Sequence, residues 1–300
     1  MCGKGKRATI LSGIRLDNKI VLITGANTGI GKETTRDLAR RGALVIMACR
    51  DVEKGEAAAK EIIEETGNSL LIVKRLDLAD TKSIREFAQQ VHEEYQQLHI
   101  LINNAGVMMC PYSKTADGFE LQFGVNHLGH FLLTYLLIDL IKQSAPSRII
   151  NVSSTAHKMG SIQFDDLNSE KSYNSVKAYA QSKLANIMFT TELAQKLKGT
   201  GVVAFSLHPG VVRTNLARHL NPAARFGLAV LRPFTKSPST GAETSIYCAV
   251  ANGLEEETGQ YFRDSELAAS SPASHDDEKS KRLWDVSCQM LEIDWQWEQL

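Results

Sequence analysis

The chain has 300 residues, 43% hydrophobic and 23% charged, with 34 basic and 34 acidic side chains and a formal net charge of zero. A chain of this size buries about three quarters of its unfolded surface and needs no staples, and its balanced charge offers no electrostatic footprint to a nucleic-acid partner. The five cysteines, Cys2, Cys49, Cys110, Cys248 and Cys288, are odd in number, scattered and without a C-x-x-C pair, which fits a reducing compartment and argues against a disulfide framework or a cysteine zinc site.

Residues 1–18 form a basic leader with Lys4, Lys6, Arg7 and Arg15, no apolar core of the signal-peptide kind, and Cys2 where myristoylation needs glycine. The longest apolar run, 131–141 (FLLTYLLIDLI), is short for a membrane span and carries Asp139, so it reads as a buried helix. No transmembrane segment or signal peptide is expected.

At 20–24 (IVLIT) an unbroken apolar run predicts a strand buried on both faces of a parallel sheet. It runs into GANTGIG and then a helical pattern that closes at Gly42. Such a turn lets backbone N–H groups and a helix N-terminus approach a pyrophosphate, because glycine has no Cβ to block the approach. Gly25, Ala26, Asn27, Thr28, Gly29, Ile30 and Gly31 are therefore candidate cofactor ligands; a tight turn without a ligand is the competing reading.

The second strand, 44–48 (LVIMA), ends in Cys49, Arg50 and Asp51, where a dinucleotide enzyme reads the adenine ribose. An acidic residue at the strand tip would bond a free 2′-hydroxyl, whereas arginine accommodates a 2′-phosphate. Cysteine followed by Arg50 favours the phosphorylated cofactor. Asp51 either pairs with Arg50 or, as we expect, caps the helix from Val52.

A charged helix is expected over 52–66 and a strand over 70–75, followed by Leu76, Asp77 and Leu78. The Asp77 carboxylate either meets an adenine amino group or caps a helix over 83–95. A fourth strand, 100–102, leads to Asn103, Asn104, Ala105 and Gly106, small and amide side chains suited to a ligand ring lying close to the backbone. Then come a helix over 117–140, a strand over 148–152 ending in Ser153 and Ser154, a helix over 173–197, and a strand over 202–207 followed by residues 208–214. This alternation predicts one α/β domain over 19–300, a doubly wound parallel sheet of the Rossmann type with helices on both faces. Ligands bind such sheets at the carboxyl ends of strands, where these candidates cluster.

Within the 173–197 helix, Tyr179 and Lys183 lie four residues apart and project side by side. At about 5 Å and an effective dielectric of about 20, a phenolate and an ammonium attract by roughly 3 kcal/mol, or about two pKa units. A phenol titrating near ~8 instead of ~10 would serve as a general acid or base. Taken alone, the spacing is common on solvated helix faces, so its weight comes from the residues that converge on it.

TGANTGIG at 24–31, NNAG at 103–106, Asn126 in GVNHLGH, NVSS at 151–154, Tyr179 with Lys183, and PGVVRT at 209–214 together resemble the short-chain dehydrogenase/reductase family over residues 19–251. ACRD at 48–51, the run from Leu98 to Glu120, NHLGHFLLT from Asn126, SKLAN from Ser182 and LWDVSC from Leu283 resemble its retinol dehydrogenase subgroup, of the type of retinol dehydrogenases 11 and 12. The resemblance implies NADP(H) as cofactor and reduction of retinal or a related lipid aldehyde. Carried over by position, it makes Tyr179 the acid that protonates the carbonyl oxygen, or the base in reverse. Lys183 would lower the Tyr179 pKa and bond the nicotinamide ribose. Ser154 would hold the substrate oxygen, with Ser153 as the alternative. Asn126 would hold a water that links Lys183 to solvent, and Thr214 would bond the nicotinamide amide. The long interval between Ser154 and Tyr179, around 157–172, is expected to form a loop over the site.

Residues 219–238 are apolar with basic residues interspersed. They read either as a helix packed on the body or, as we expect, as a substrate lid walled by Phe226, Leu228, Leu231 and Phe234. Their character also permits contact with a membrane surface. A C-terminal helix and tail over 276–300, with Trp284, Met290, Trp295 and Trp297, should dock on the domain. His127 and His130 lack partners at metal-ligand spacing, so no metal site is expected; His208 should pack or bond locally, and Cys110 should be a buried or half-buried thiol.

Subgroup relatives often begin with an apolar anchor, and the basic leader departs from that. The expected location is therefore cytoplasmic, or peripheral on the cytosolic face of the endoplasmic reticulum membrane, and a homodimer is compatible. The expected protein is an NADP(H)-dependent oxidoreductase interconverting an apolar aldehyde and its alcohol, all-trans-retinal first. The alternatives are a reductase of steroids or medium-chain lipid aldehydes, and a non-catalytic NADP(H)-binding regulatory protein.

Overall fold

The apolar runs become the centre of the molecule, a computed structural model that describes residue 11 and residues 13–212 and 235–295. Strands β1 (Ile20–Thr24), β2 (Leu44–Cys49), β3 (Leu71–Arg75), β4 (Ile100–Asn103), β5 (Ser147–Val152), β6 (Val202–His208), β7 (Tyr261–Arg263) and β8 (Glu266–Leu267) form one sheet in the order β3-β2-β1-β4-β5-β6-β7-β8. Every pairing is parallel except that of β7 with β8.

Successive strand residues point to opposite faces, and both faces are covered. Val21, Ile23, Met47, Ile102 and Phe205 are buried beneath α1 (Gly29–Arg40), α2 (Val52–Thr66) and α6 (Pro238–Val250). Leu22, Ile46, Leu101 and Ile149 are buried beneath α3 (Thr81–Glu94), α4 (Leu121–Gln143), α5 (Ser175–Lys196) and α7 (Asp277–Met290). An unbroken apolar strand is what two covered faces require.

Strand order reverses between β1 and β4, which lie side by side. The turns that leave their carboxyl ends must part to opposite sides, opening a crevice between the glycine turn and residues 104–106.

Several boundaries differ from the sequence reading. α3 begins at Thr81, and Asp80 accepts the Lys82 N–H as its cap, so Asp77 does not cap it. α4 begins at Leu121, where Glu120 accepts the N–H groups of Gln122 and Phe123; residues 115–118 form a turn before it, closed by the Gly118 N–H on the Thr115 carbonyl. This helix of 23 residues is long and apolar enough to cross a membrane by length and composition, but it is mostly buried inside the domain. Its second turn, Gly124–Leu128, is a π-turn, a form often found at functional sites. α6, β7 and β8 had no sequence expectation: β7 and β8 are too short for a hydrophobic period to register.

α7 packs on the domain. Trp284 stacks near Phe131, Trp295 and Phe189 with ring centroids 4.9, 4.4 and 5.8 Å away. The leader up to residue 10, Thr214, the lid residues 219–234 and Trp297 lie outside the described residues; of the expected lid, Lys236 pairs with Val212 in an isolated bridge and Pro238 already opens α6.

Candidate active site

The glycine turn is built by conformations that exclude side chains. Gly25 and Gly29 have φ of +67° and +57°. At Gly31 an added Cβ would stand 2.3 Å from the Gly25 carbonyl oxygen and 2.6 Å from Asn104 Nδ2. Thr28 precedes α1 in an extended conformation and makes no side-chain cap bond, so the first N–H groups of the helix keep their capacity for an anion. Ala26 is fully buried, and Asn27, Thr28 and Ile30 complete the turn.

Arg50 is exposed just past β2, and among the described residues no carboxylate lies within ion-pair distance of it. Asp51 caps α2 by accepting the Lys54 N–H at 3.1 Å, and its other oxygen takes the Lys54 ammonium. The pairing of Arg50 with Asp51 is thereby replaced by the cap. Asp77 accepts the Ala79 N–H at 3.0 Å and holds the corner after β3, with Leu78 buried beside it.

Asn104 is committed to the turn. Its amide donates to the Thr24 carbonyl at 2.7 Å, and its N–H and that of Ala105 both donate to the Thr24 hydroxyl at 2.9 Å. With both lone pairs taken, that hydroxyl gives its proton to His130 Nε2, 2.9 Å away. His130 Nδ1 then donates to the main-chain carbonyl of Asn126 at 3.1 Å. The side chain of Asn126 holds the Val107 peptide through both its N–H and carbonyl, at 2.8 and 2.9 Å, and donates to Ser182 at 3.0 Å.

A second buried chain crosses beneath the sheet's carboxyl edge. Asn103 donates to Thr134 and to Asn151, Asn151 donates to Thr190, Thr190 donates to the Asn186 carbonyl, and Asn186 donates to the Val152 carbonyl. Lys183 Nζ donates to that same carbonyl at 3.0 Å. Thr24, His130, Asn151 and Asn186 were missed as site residues. Their signal was present in the motifs, as the threonine opening TGANTGIG, the second histidine of NHLGH, the asparagine of NVSS and that of SKLAN.

Tyr179 and Lys183 are brought together one turn apart on α5, both buried, with Lys183 Nζ 5.7 Å from the centroid of the Tyr179 ring. The Ser154 side chain stands by the Tyr179 phenol and favours its ionised form. Ser153 turns the other way and donates to the Lys183 carbonyl at 2.7 Å, fastening β5 to α5. Gly106 faces the same space: a Cβ there would lie 3.1 Å from Asn126 Oδ1 and 3.7 Å from Lys183 Nζ.

The electrostatics reverse one expectation. Burial pushes Tyr179 up to about 12, while the nearby Ser154 acts in the opposite direction. Burial alone pushes Lys183 down to about 8. The sequence argument placed the pair in a medium that hydrates both ions; here each charged form loses its water, and that cost exceeds their mutual attraction.

The loop before α5 is pinned along its flank. Gln181 accepts the Gln163 N–H at 2.8 Å, and the Arg282 guanidinium covers the Phe164 ring at 4.1 Å. His127 donates from Nε2 to Ser287 at 3.0 Å, since that hydroxyl spends its own proton on the Leu283 carbonyl. His208 is buried and packed, and its Nδ1 finds no partner. Cys110 is buried. Among the described residues, no three His, Cys, Asp or Glu side chains are grouped to hold a metal.

A family model described as short chain dehydrogenase matches residues 19–225. Retinol dehydrogenase 12 of Homo sapiens is 57% identical over 283 residues, covering 94% of this chain and 89% of that protein. Retinol dehydrogenase 11 of Homo sapiens is 56% identical over 280 residues, covering 93% and 88%. Of solved structures, an uncharacterized protein from Mycobacterium Paratuberculosis is 36% identical, covers 96% of this chain and 98% of its own, and superposes with a TM-score of 0.78. RhlG of Pseudomonas aeruginosa, solved as an NADP active-site complex, is 26% identical with a TM-score of 0.68, over 83% and 96%.

Proposed function

Because the chain belongs to the short-chain dehydrogenase family, in its retinol dehydrogenase subgroup, and is an oxidoreductase acting on CH–OH donors, we propose that it uses NADP(H) to interconvert an apolar aldehyde and its alcohol, with reduction of all-trans-retinal to retinol as the leading reaction. The observation that carries this reading is the buried Tyr179 phenol beside Ser154, with Lys183 one turn away at the crevice edge.

The residues fit a dinucleotide. The uncapped start of α1 would take the pyrophosphate, with Gly31 letting the turn fold tightly against Asn104, and Arg50 would take the 2′-phosphate. With its carboxylate spent on the α2 cap, Asp51 is a poor partner for a free 2′-hydroxyl. Asp77 and Leu78 would border the adenine, residues 104–106 the nicotinamide, and Lys183 its ribose, with Thr214 on the amide. When bound, the nicotinamide supplies or accepts the hydride.

The protein's own part is orientation and a proton. A phenol with its pKa near 12 is in the acid form at neutral pH, the form that reduction requires. As negative charge builds on the carbonyl oxygen, Ser154 donates a hydrogen bond to it and Tyr179 delivers its proton. The nearby Lys183 charge lowers the cost of the phenolate left behind. A water held at Asn126 would bind its main-chain carbonyl, because its side chain is already committed to Val107 and Ser182.

The test is a panel of all-trans-retinal, a steroid ketone and nonanal, each with NADPH and NADH. We expect kcat/KM to be highest for retinal with NADPH, by about tenfold over nonanal. A preference for nonanal or the steroid would replace the retinoid. Tyr179→Phe should lose about 10²-fold or more in kcat with NADPH still bound; unchanged turnover would end the catalytic assignment.

A further inference from the structure

We infer that His157 is a positioning residue for Ser154, an imidazole clamp that ties the peptide of that serine to the chain entering α7. The inference rests on the reading of Ser154 as the hydroxyl that holds the substrate oxygen.

His157 is fully buried in the single turn Thr155–Met159 that follows Ser154. Its Nδ1 lies 2.6 Å from the Ser154 carbonyl oxygen, and its Nε2 lies 3.0 Å from the Ser271 N–H. A carbonyl can only accept and an N–H can only donate, so both bonds hold only for the neutral ring with its proton on Nδ1. The Ser154 carbonyl also accepts the His157 main-chain N–H at 3.0 Å, so the peptide is held from two directions. Edge contact with Tyr261, ring centroids 5.0 Å apart, fixes the imidazole plane. Ser271 precedes the short turn Pro272–His275, which leads into α7.

Protonation would set an N–H against an N–H and release the Ser271 side of the clamp. The surroundings oppose it. Lys158 sits on the same turn, and His208 faces the ring from β6 with Lys236, Arg263 and Asp264 around it. Tyr261 approaches from β7, Tyr179 and Lys183 stand on the Ser154 side, and His275 lies just beyond Ser271. Asp264 is the single anion in this set, and burial already holds His157 below its ordinary range. The clamp therefore stays closed at neutral pH and opens in acid.

The experiment measures kcat at saturating NADPH and all-trans-retinal, NADPH affinity and thermal midpoint, from about pH 5 to pH 9, for the wild type, His157→Phe, His157→Asn, Ser271→Pro and Tyr179→Phe. His157→Phe keeps the ring but loses both bonds; kcat should fall about tenfold with NADPH affinity unchanged. His157→Asn can still donate to the Ser154 carbonyl and should recover about threefold of that loss. Ser271 has φ of −74°, which proline shares; its ring carbon would take the place of the N–H and push Nε2 aside, and a buried hydroxyl without a hydrogen-bond partner goes with it. With the Ser271 side of the clamp already open, kcat should be lowered at neutral pH and the acid limb that protonation of His157 causes in the wild type should be lost, a change in profile that a merely structural role would not produce. An acid limb retained in Ser271→Pro, or a His157→Phe enzyme within about twofold of wild type, overturns the inference. If His157→Phe does not fold, Ser271→Pro decides. An active Tyr179→Phe enzyme would instead overturn the underlying reading of the site.

Discussion

The Lys183 ammonium donates to the main-chain carbonyl of Val152 at 3.0 Å and stands 5.7 Å from the centroid of the Tyr179 ring. Its partner in the resting site is thus the end of β5, and the same carbonyl takes the Asn186 amide. The lysine is placed by the sheet edge, with its charge held in reserve for the phenolate.

A buried cation held by one carbonyl costs stability. Burial lowers Lys183 from 10.5 to about 8, so below about pH 8 both folded and unfolded chains carry the charge and the folded state bears its desolvation. Lys183→Met should raise unfolding free energy at pH 7 by on the order of 2 kcal/mol, the relieved cost less the lost hydrogen bond, while abolishing turnover. Between about pH 8 and 10.5 the folded lysine has shed its proton and the unfolded one has not, so wild-type stability gains and the gap closes. Urea melts of both proteins across that range measure it; a variant no more stable at pH 7 would refute the buried charge.

Reduction should depend on pH through the same two groups. Tyr179 keeps its proton up to about pH 12, while Lys183 loses its charge near 8. We expect kcat/KM for the aldehyde to hold steady at neutral pH and to descend as pH passes about 8, measured by initial rates at constant ionic strength.

Gly31→Ala would force a methyl against the Gly25 carbonyl and the Asn104 amide, both held in place. NADPH affinity should fall by about tenfold or more, with a loss of about 1–3 kcal/mol in stability. Titration of nicotinamide fluorescence and a chemical melt on the same sample separate the two effects.

Arg50→Ala should leave the fold untouched, because the side chain is exposed and makes no ion pair among the described residues. NADPH binding should weaken by about tenfold or more and NADH binding hardly at all. Equal weakening of the two would mark the arginine as structural.

Gly160→Ala places a Cβ 2.6 Å from the Ala180 carbonyl oxygen on α5, next to the catalytic candidate Tyr179. The helix backbone cannot yield, so the turn carrying Ser154 and His157 must shift. We expect kcat to fall by about tenfold while NADPH affinity stays near wild type, because the displaced turn is remote from the glycine turn.

Much of this was legible in the chain. Strands covered on both faces must be apolar without interruption, which made β1, β2 and β5 readable, and the backbone-limited turn at Gly25, Gly29 and Gly31 admits few other residues. Spacing also placed Tyr179 and Lys183 on one face of one helix. Tertiary structure alone turned Ser153 toward the Lys183 carbonyl and Ser154 toward Tyr179, assigned the α3 cap to Asp80, and enlisted His130, Asn151 and Asn186 in a buried network. It also reversed the expected shift of Tyr179, for a physical reason: spacing is a property of the chain, but solvation belongs to the packed molecule, and how much water each charged form loses depends on elements far apart in sequence.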